Sequence, residues 1–310
     1  VRAHVRFVQA DWPGVRDDRA MSTTIDLDAA AGFVWRSARL LDRQRFAALT
    51  GEGGREPVLA ALRAYQNPDG GFGNALEPDL RAPVSLPQPV ELAFHVLDEL
   101  DALDDPMATR ACDWLASVTT EEGGVPFVLP SARAWPRAPW WEAGDEPPAS
   151  VNPTAALAGL LHRNGVAHPW LEPATAFVWR ALDSPLAGIG GYEAIALFVF
   201  LDGAPDRTRA EAAAARLSEL VAERELVALD PAAEGHVFSP LALAPRPDAL
   251  ARRGFSDATI DAHLDALAEA QEVDGGWPVS WPTQSVAAEQ EWRGWVTVAA
   301  IRTLKAYGRL

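Results

Sequence analysis

Glu77 and Asp79 stand one residue apart in the stretch Gly73-Asn74-Ala75-Leu76-Glu77-Pro78-Asp79-Leu80-Arg81, and Pro83, Pro87 and Pro89 stiffen the segment after it. If the fold places these two carboxylates near each other, mutual repulsion and partial burial raise one pKa, and the pair could act as general acid and base. Arg81 then either holds a substrate anion or neutralises Asp79 and fixes the loop. A second stretch, Trp135-Pro136-Arg137-Ala138-Pro139-Trp140-Trp141-Glu142, lies in a long loop ending at Asn152-Pro153. There Trp140 and Trp141 offer faces for an apolar chain, a carbocation or a sugar ring, with Glu142 beside them; alternatively they are core that plugs a cavity. A third stretch runs from Trp277 through Trp281 to Glu289, Glu291, Trp292, Arg293 and Trp295. Trp277 reads as structural, whereas Trp281, Glu289, Trp292 and Arg293 are expected to face a ligand. Glu91 and Glu193, near helix starts, either cap those helices or project inward as further acids, Glu91 being the third catalytic candidate.

These residues need a frame, and the apolar periodicity supplies one. Residues three and four apart repeat through Ala29–Leu49, Glu56–Tyr65, Pro89–Leu100, Pro106–Ser117, Pro153–Arg163, Glu172–Asp183, Tyr192–Asp202, Arg207–Glu223, Ser256–Ala270 and Arg293–Tyr307. This is the helical period, and no stretch shows the alternation of a strand, so the chain reads as all-α. Two of the helices run into matched turns, Gln66-Asn67-Pro68-Asp69-Gly70-Gly71-Phe72 and Gln271-Glu272-Val273-Asp274-Gly275-Gly276-Trp277, with a decayed third copy at Glu121-Glu122-Gly123-Gly124-Val125-Pro126-Phe127. Such recurrence marks an internal repeat, whose unit is outer helix, glycine turn, loop and inner helix. The glycines supply backbone angles closed to other residues, Asp caps local amides, and the Gln amide bonds main-chain groups while the aromatic ring packs across it. Helical hairpins stapled in this way stack, and no copy looks like a polar terminal cap, so closure into an α/α toroid is expected. One toroidal domain is expected over residues 21–310. Residues 1–20 read as an N-terminal extension, because Met21 opens onto Ser22-Thr23-Thr24 and then a helical pattern.

The turns resemble the glutamine-tryptophan motifs of the terpenoid cyclase and protein prenyltransferase superfamily. The resemblance implies helical hairpins around a central cavity, loops gathered at its mouth, and a hydrophobic isoprenoid-type substrate attacked by acid. It covers most of the chain from Ala29. The superfamily's catalytic signatures are not matched. The closest approaches to Asp-x-Asp-Asp are Asp26-Leu27-Asp28-Ala29 and Asp101-Ala102-Leu103-Asp104-Asp105; Asp17-Asp18 and Asp104-Asp105 lack the third acid of a magnesium motif; and Cys112 directly precedes Asp113 where the zinc motif has an intervening residue. The same turn occurs in toroidal polysaccharide lyases. A carbohydrate-active enzyme using Glu77, Asp79, Glu142 and Glu289 is therefore the alternative, and a non-catalytic binding toroid is a third.

Composition removes several other classes. A net charge of -16 disfavours nucleic acid and anionic lipid, which demand concentrated positive charge. The longest apolar run, Ala194–Leu201, is too short for a bilayer. Val1–Asp18 lacks the apolar centre of a secretory signal, so a cytoplasmic setting is expected. Cys112 is the sole cysteine, and His95, His162, His168, His236 and His263 show no metal-ligand spacing, so neither metal nor cofactor is expected. The expected ligand is a small hydrophobic or carbohydrate molecule.

Overall fold

The computed structural model describes residues 25–310, so the expected extension over residues 1–20 lies outside the described residues. The helices are α1 (Leu27–Ser37), α2 (Leu40–Thr50), α3 (Arg55–Arg63), α4 (Pro87–Glu99), α5 (Pro106–Val118), α6 (Val151–Arg163), α7 (Leu171–Asp183), α8 (Gly191–Gly203), α9 (Arg207–Glu223), α10 (Pro240–Leu243), α11 (Asp257–Glu269) and α12 (Val286–Ala306). Among the described residues extended pairing is confined to isolated bridges, so the chain is all-α. α3, α5 and α7 are strongly amphipathic, as outer helices must be, whereas α8 is apolar all round and belongs to the inner layer. α4 packs on α6, α6 on α8, α8 on α10, and α12 on α2, which closes an α/α toroid.

The unbroken apolar period from Ala29 to Leu49 predicts one helix, but the structure has two. Ala38 and Arg39 adopt extended angles. Ala38 fills the space that a side chain at Gly294 would need, and the Arg43 Nε–H bonds the Ala38 carbonyl at 2.8 Å. The break carries the chain from the outer to the inner layer without a loop, and it buries the Arg39 side chain, 8% exposed. α12 differs in the other direction. It starts seven residues before Arg293, because Ser285 caps the Ala288 amide and Ala-Ala-Glu-Gln-Glu is a good helix former despite having no apolar stripe.

The three glycine turns share one geometry. Their leading glycines have φ of +93° at Gly70, +91° at Gly123 and +92° at Gly275. Each backbone lies directly against the first turns of the next outer helix: a methyl group would come within 2.4 Å of the Arg110 carbonyl oxygen at Gly70, 2.7 Å of Pro173 at Gly123, and 2.0 Å of Ala29 at Gly275. Four residues further along those helices, Trp114, Phe177 and Phe33 cover the second glycine of each turn. Gln66 Nε2 donates to the Gly70 and Met107 carbonyls at 2.8 and 2.9 Å. Gln271 Nε2 donates to Gly275 at 3.0 Å and to Asp26 at 2.8 Å, and its Oε1 accepts from the Asp26 amide at 2.9 Å. In the decayed copy Thr119 replaces the glutamine, and the lost bond is made in reverse: the Trp170 indole donates to Thr119 Oγ1 at 2.8 Å. The staples therefore join α3 to α5, α5 to α7 and α11 to α1. The last of these closes the ring.

Two kinds of glycine should respond differently to the same change. Gly275→Ala adds a clash with Ala29 to the left-handed strain and is expected to cost about 3 kcal/mol or more, whereas Gly51→Ala, at φ +83° with open space around it, costs only the strain of about 1 kcal/mol. Urea unfolding of both variants measures the difference; equal losses would show that the Gly275 contact does not close the ring.

Candidate active site

The Glu77 loop is set by its own backbone before any ligand enters the question. Asn74 and Ala75 are both left-handed, at φ 56° and 59°. Asn74 is steadied by donating to Asn67 Oδ1 at 3.1 Å, while Ala75 carries strain of roughly 1 kcal/mol. Leu76 and Leu80 anchor the loop, each fully buried. The second candidate stretch then braces it from behind. The Arg81 amide donates to Pro136 at 2.9 Å and the Ala138 amide to the Asp79 carbonyl at 2.8 Å. Trp141 stacks on Phe127 with ring centroids 5.0 Å apart and joins Leu80, Leu86 and Val128 in a small core.

Asp79 is 1% exposed. Its Oδ2 accepts from the Trp292 indole at 2.8 Å and from the Trp281 indole at 3.3 Å, and its Oδ1 accepts from the Gln284 amide at 3.1 Å. Gln284 also donates to the Pro78 carbonyl at 3.3 Å, so the loop between α11 and α12 is sewn onto the Glu77 loop. Glu77 is 4% exposed and its Oε2 has no hydrogen-bond partner. Burial first, and then the charge of Asp79, push the Glu77 carboxyl well above the ordinary carboxylate range; the amides of Asp79 and Leu80 and the charge of Arg39 offset only part of this. The arrangement is a buried acid whose ionisation is opposed, next to a carboxyl that accepts hydrogen bonds from two indoles and a backbone amide.

Aromatic rings continue outward from that carboxylate. Trp281 meets Trp292 edge-on at 5.2 Å and His236 at 5.9 Å; Tyr192 hydrogen-bonds His236 Nε2 through its hydroxyl at 3.1 Å and packs on Phe238 at 4.8 Å. The Tyr192 phenol is pushed up by burial and then by Glu77 and Asp79, which puts it within electrostatic reach of both. On the other side Trp292 meets Trp295 at 6.4 Å, and the Arg45 guanidinium lies 3.9 Å over the Trp295 ring. Arg45 bonds Asp42 at 2.7 Å and Glu99 at 2.6 Å, and Glu99 is shared with Arg302 at 2.7 Å. Burial opposes ionisation of Glu99, but Arg45 and Arg302 overcome it and hold the carboxyl below the usual range. Helices α2, α4 and α12 meet at this buried network.

The residues singled out in the sequence thus separate. Glu77, Asp79, Trp281 and Trp292 converge. Arg81 does not neutralise Asp79; its ion pair is with Glu291 of α12. Arg293 is committed to the staple, bonding Asp274 at 2.7 and 2.8 Å and the Trp277 carbonyl at 3.3 Å, with its guanidinium 4.5 Å over Phe33. Glu91 lies 3.8 Å from His95 on α4. Glu142 is exposed and forms a two-pronged pair with Arg137 at 2.9 and 3.0 Å, Trp140 is exposed beside it, and Glu289 is exposed in the first turn of α12. Trp277 is buried at the staple, its indole donating to Leu267 at 2.7 Å. Sequence reasoning missed Arg39, Tyr65, Tyr192 and His236. No motif marks them, and Arg39 sits where the apolar period promised mid-helix. Among the described residues no group of three His, Cys, Asp or Glu side chains is placed to hold a metal ion, and no helix is long and apolar enough to cross a membrane.

Because the folded state raises the Glu77 pKa above its unfolded value, Glu77 favours folding fully at acid pH. That contribution is lost as pH rises from the ordinary glutamate range through the folded value. Glu77→Gln removes the titration while keeping the shape. The variant should therefore gain stability over the native protein as pH rises from 4.5 toward neutrality, read as a growing difference in urea midpoint. A difference that does not vary with pH would contradict a protonated Glu77.

No family model matches the chain, and no curated protein matches it. Solved structures do. A protein from Actinoplanes aligns with a TM-score of 0.54 at 21% identity, covering 90% of this chain and 88% of that one. The apo structure of the type II terpene cyclase MstE from Scytonema aligns with a TM-score of 0.51 at 13% identity, covering 92% of this chain and 98% of that one. At these identities the likeness is one of fold: the chain shares its all-helical architecture over nearly the whole length of both.

Proposed function

We propose that the protein is an enzyme of acid-initiated chemistry on a hydrophobic, isoprenoid-type substrate, with Glu77 as the proton donor. The observation that carries this reading is Glu77 itself: a carboxyl 4% exposed, unpartnered at Oε2, with its pKa pushed up by burial and by Asp79. A general acid must still hold its proton at the working pH, and a raised pKa favours that. Asp79 is a positioning residue. Its indole clamp fixes where its charge sits, and that charge keeps the proton on Glu77. Trp281 and Trp292, bonded to Asp79, put aromatic surface beside the pair, which suits an apolar substrate and attracts positive charge developing on it. Arg39, within electrostatic reach of Glu77, stabilises the carboxylate left behind after transfer. The shared fold with a type II terpene cyclase supports the same reading. Among the remaining candidates, Arg81 with Glu291 and the exposed Trp140 belong to the mouth in this proposal, whereas Trp141 and Arg293 act by holding the frame.

Incubation with a panel of linear isoprenoids should give turnover that falls at least about 100-fold in Glu77→Gln with ligand binding retained. Activity should be present at acid pH and decline as pH rises through the Glu77 pKa. Absence of both binding and turnover across the panel, or an unimpaired Glu77→Gln, would overturn the proposal.

A further inference from the structure

Neither carboxyl of the Glu77 loop is open to solvent: Asp79 is 1% exposed and Glu77 4%. A ligand that reaches them needs a covering segment to move, and the covers differ in how firmly they are held. The loop after α11 is sewn down through the Trp281 indole, the Gln284 amide and the Gln284 side chain, all bonded to the Glu77 loop. Lifting it would strip donors from a buried carboxyl, which is costly. The segment on the other side is held by backbone bonds from Arg81 to Pro136 and from Ala138 to Asp79, with Trp141 in the small core. The loop between α9 and α10 is held differently. Its neck is fixed: the Ala228 amide donates to the Phe238 carbonyl at 2.9 Å, His263 of α11 donates through Nε2 to the Leu229 carbonyl at 3.2 Å, and a methyl group at Gly191 would come within 2.1 Å of the Phe238 ring. Between those ends residues 229–237 are all exposed. The tip is folded on itself, because Asp230 accepts from the Ala232 amide through Oδ1 at 2.9 Å and from the Ala233 amide through its carbonyl at 3.1 Å, and Gly235 turns the chain back at φ +89° in open space. This is an Ω-loop, closed at the neck and self-contained at the tip. Among the described residues His236 alone ties that tip to the rest of the protein by a side-chain hydrogen bond or a ring contact outside the loop. Its Nε2 lies 3.1 Å from the Tyr192 hydroxyl, and its ring meets Trp281 edge-on at 5.9 Å, the same Trp281 whose indole reaches Asp79.

Resting on the reading of the Glu77 and Asp79 pair as the site, we propose that residues 228–238 form a lid. It is hinged at the neck between Ala228 and Phe238, latched shut by His236 on Tyr192, and moves as a unit to open a way past Trp281. Opening breaks one side-chain hydrogen bond that water can replace, since Tyr192 is 51% exposed. It leaves the donors of Asp79 in place and the staples of the ring untouched. A tip with no buried side chain and one latch has the low local stability from which the lids of active sites are drawn.

Tyr192→Phe tests this, because it removes the latch hydroxyl and leaves every ring in place. Quenching of Trp281 by acrylamide, read as the difference between each protein and its Trp281→Phe counterpart, should be greater in the variant than in the native protein. Stopped-flow mixing with farnesol should show association and dissociation both faster by about fivefold, the effect of losing one partly exposed hydrogen bond, with Kd unchanged. A residue that only touched the ligand would alter dissociation alone. Equal quenching with and without the hydroxyl would overturn the lid, and so would an association rate that does not change. Farnesol binding to neither protein would sink the isoprenoid reading of the site, and the quenching comparison would then decide the lid by itself.

Discussion

A carboxylate that is 1% exposed must find donors inside the protein, and Asp79 finds them at the far end of the chain. The indoles of Trp281 and Trp292 and the amide of Gln284 all reach it from the segment after α11 and from α12 itself. Those bonds hold together two loops that are more than 200 residues apart in sequence. They also orient the indole rings, because an N–H aimed at a carboxylate fixes the plane of its ring. With the Asp79 carboxyl fixed, the neighbouring Glu77 carboxyl has a stationary negative charge beside it in a buried environment. Its ionisation is opposed by both.

That clamp works only if the ends of the chain are brought together, and this is the job of the Gln271 staple. By bonding both the amide and the carbonyl of Asp26, Gln271 ties the turn after α11 to the start of α1. Arg293, bound to Asp274 and to the Trp277 carbonyl, ties the same turn to α12, one residue from the Trp292 that reaches Asp79. The frame and the site therefore share a helix. A shift of α12 by even a fraction of a turn would move Trp292 off Asp79, so ring closure has a direct consequence for the state of Glu77.

The frame was legible in the sequence because its parts are local. Glycine pairs, a glutamine and an aromatic at fixed spacing report a turn whose backbone angles no other residues tolerate, and the helical period reports layers. The acid pair was legible for a similar reason, since Glu77 and Asp79 are close in the chain. What escaped was non-local. Nothing in Ser37-Ala38-Arg39 announces a break in an unbroken apolar pattern; it is imposed by packing of Ala38 against Gly294. Arg81 looked like the natural partner of Asp79 two residues away, but a loop bent at Asn74 and Ala75 sends it to Glu291 instead. Trp141 and Arg293 have the residue types of ligand contacts and serve as buried supports, a distinction that depends on which neighbours arrive in three dimensions.

The proposed chemistry turns on one proton. At neutral pH, infrared difference spectroscopy between the native protein and Glu77→Gln should show the carbonyl stretch of a protonated carboxylic acid that disappears in the variant, and Asp79→Asn should make that band titrate away at lower pH by removing the neighbouring charge. A native spectrum containing only the carboxylate signature of Glu77 at neutral pH would contradict a neutral acid at the centre of the site.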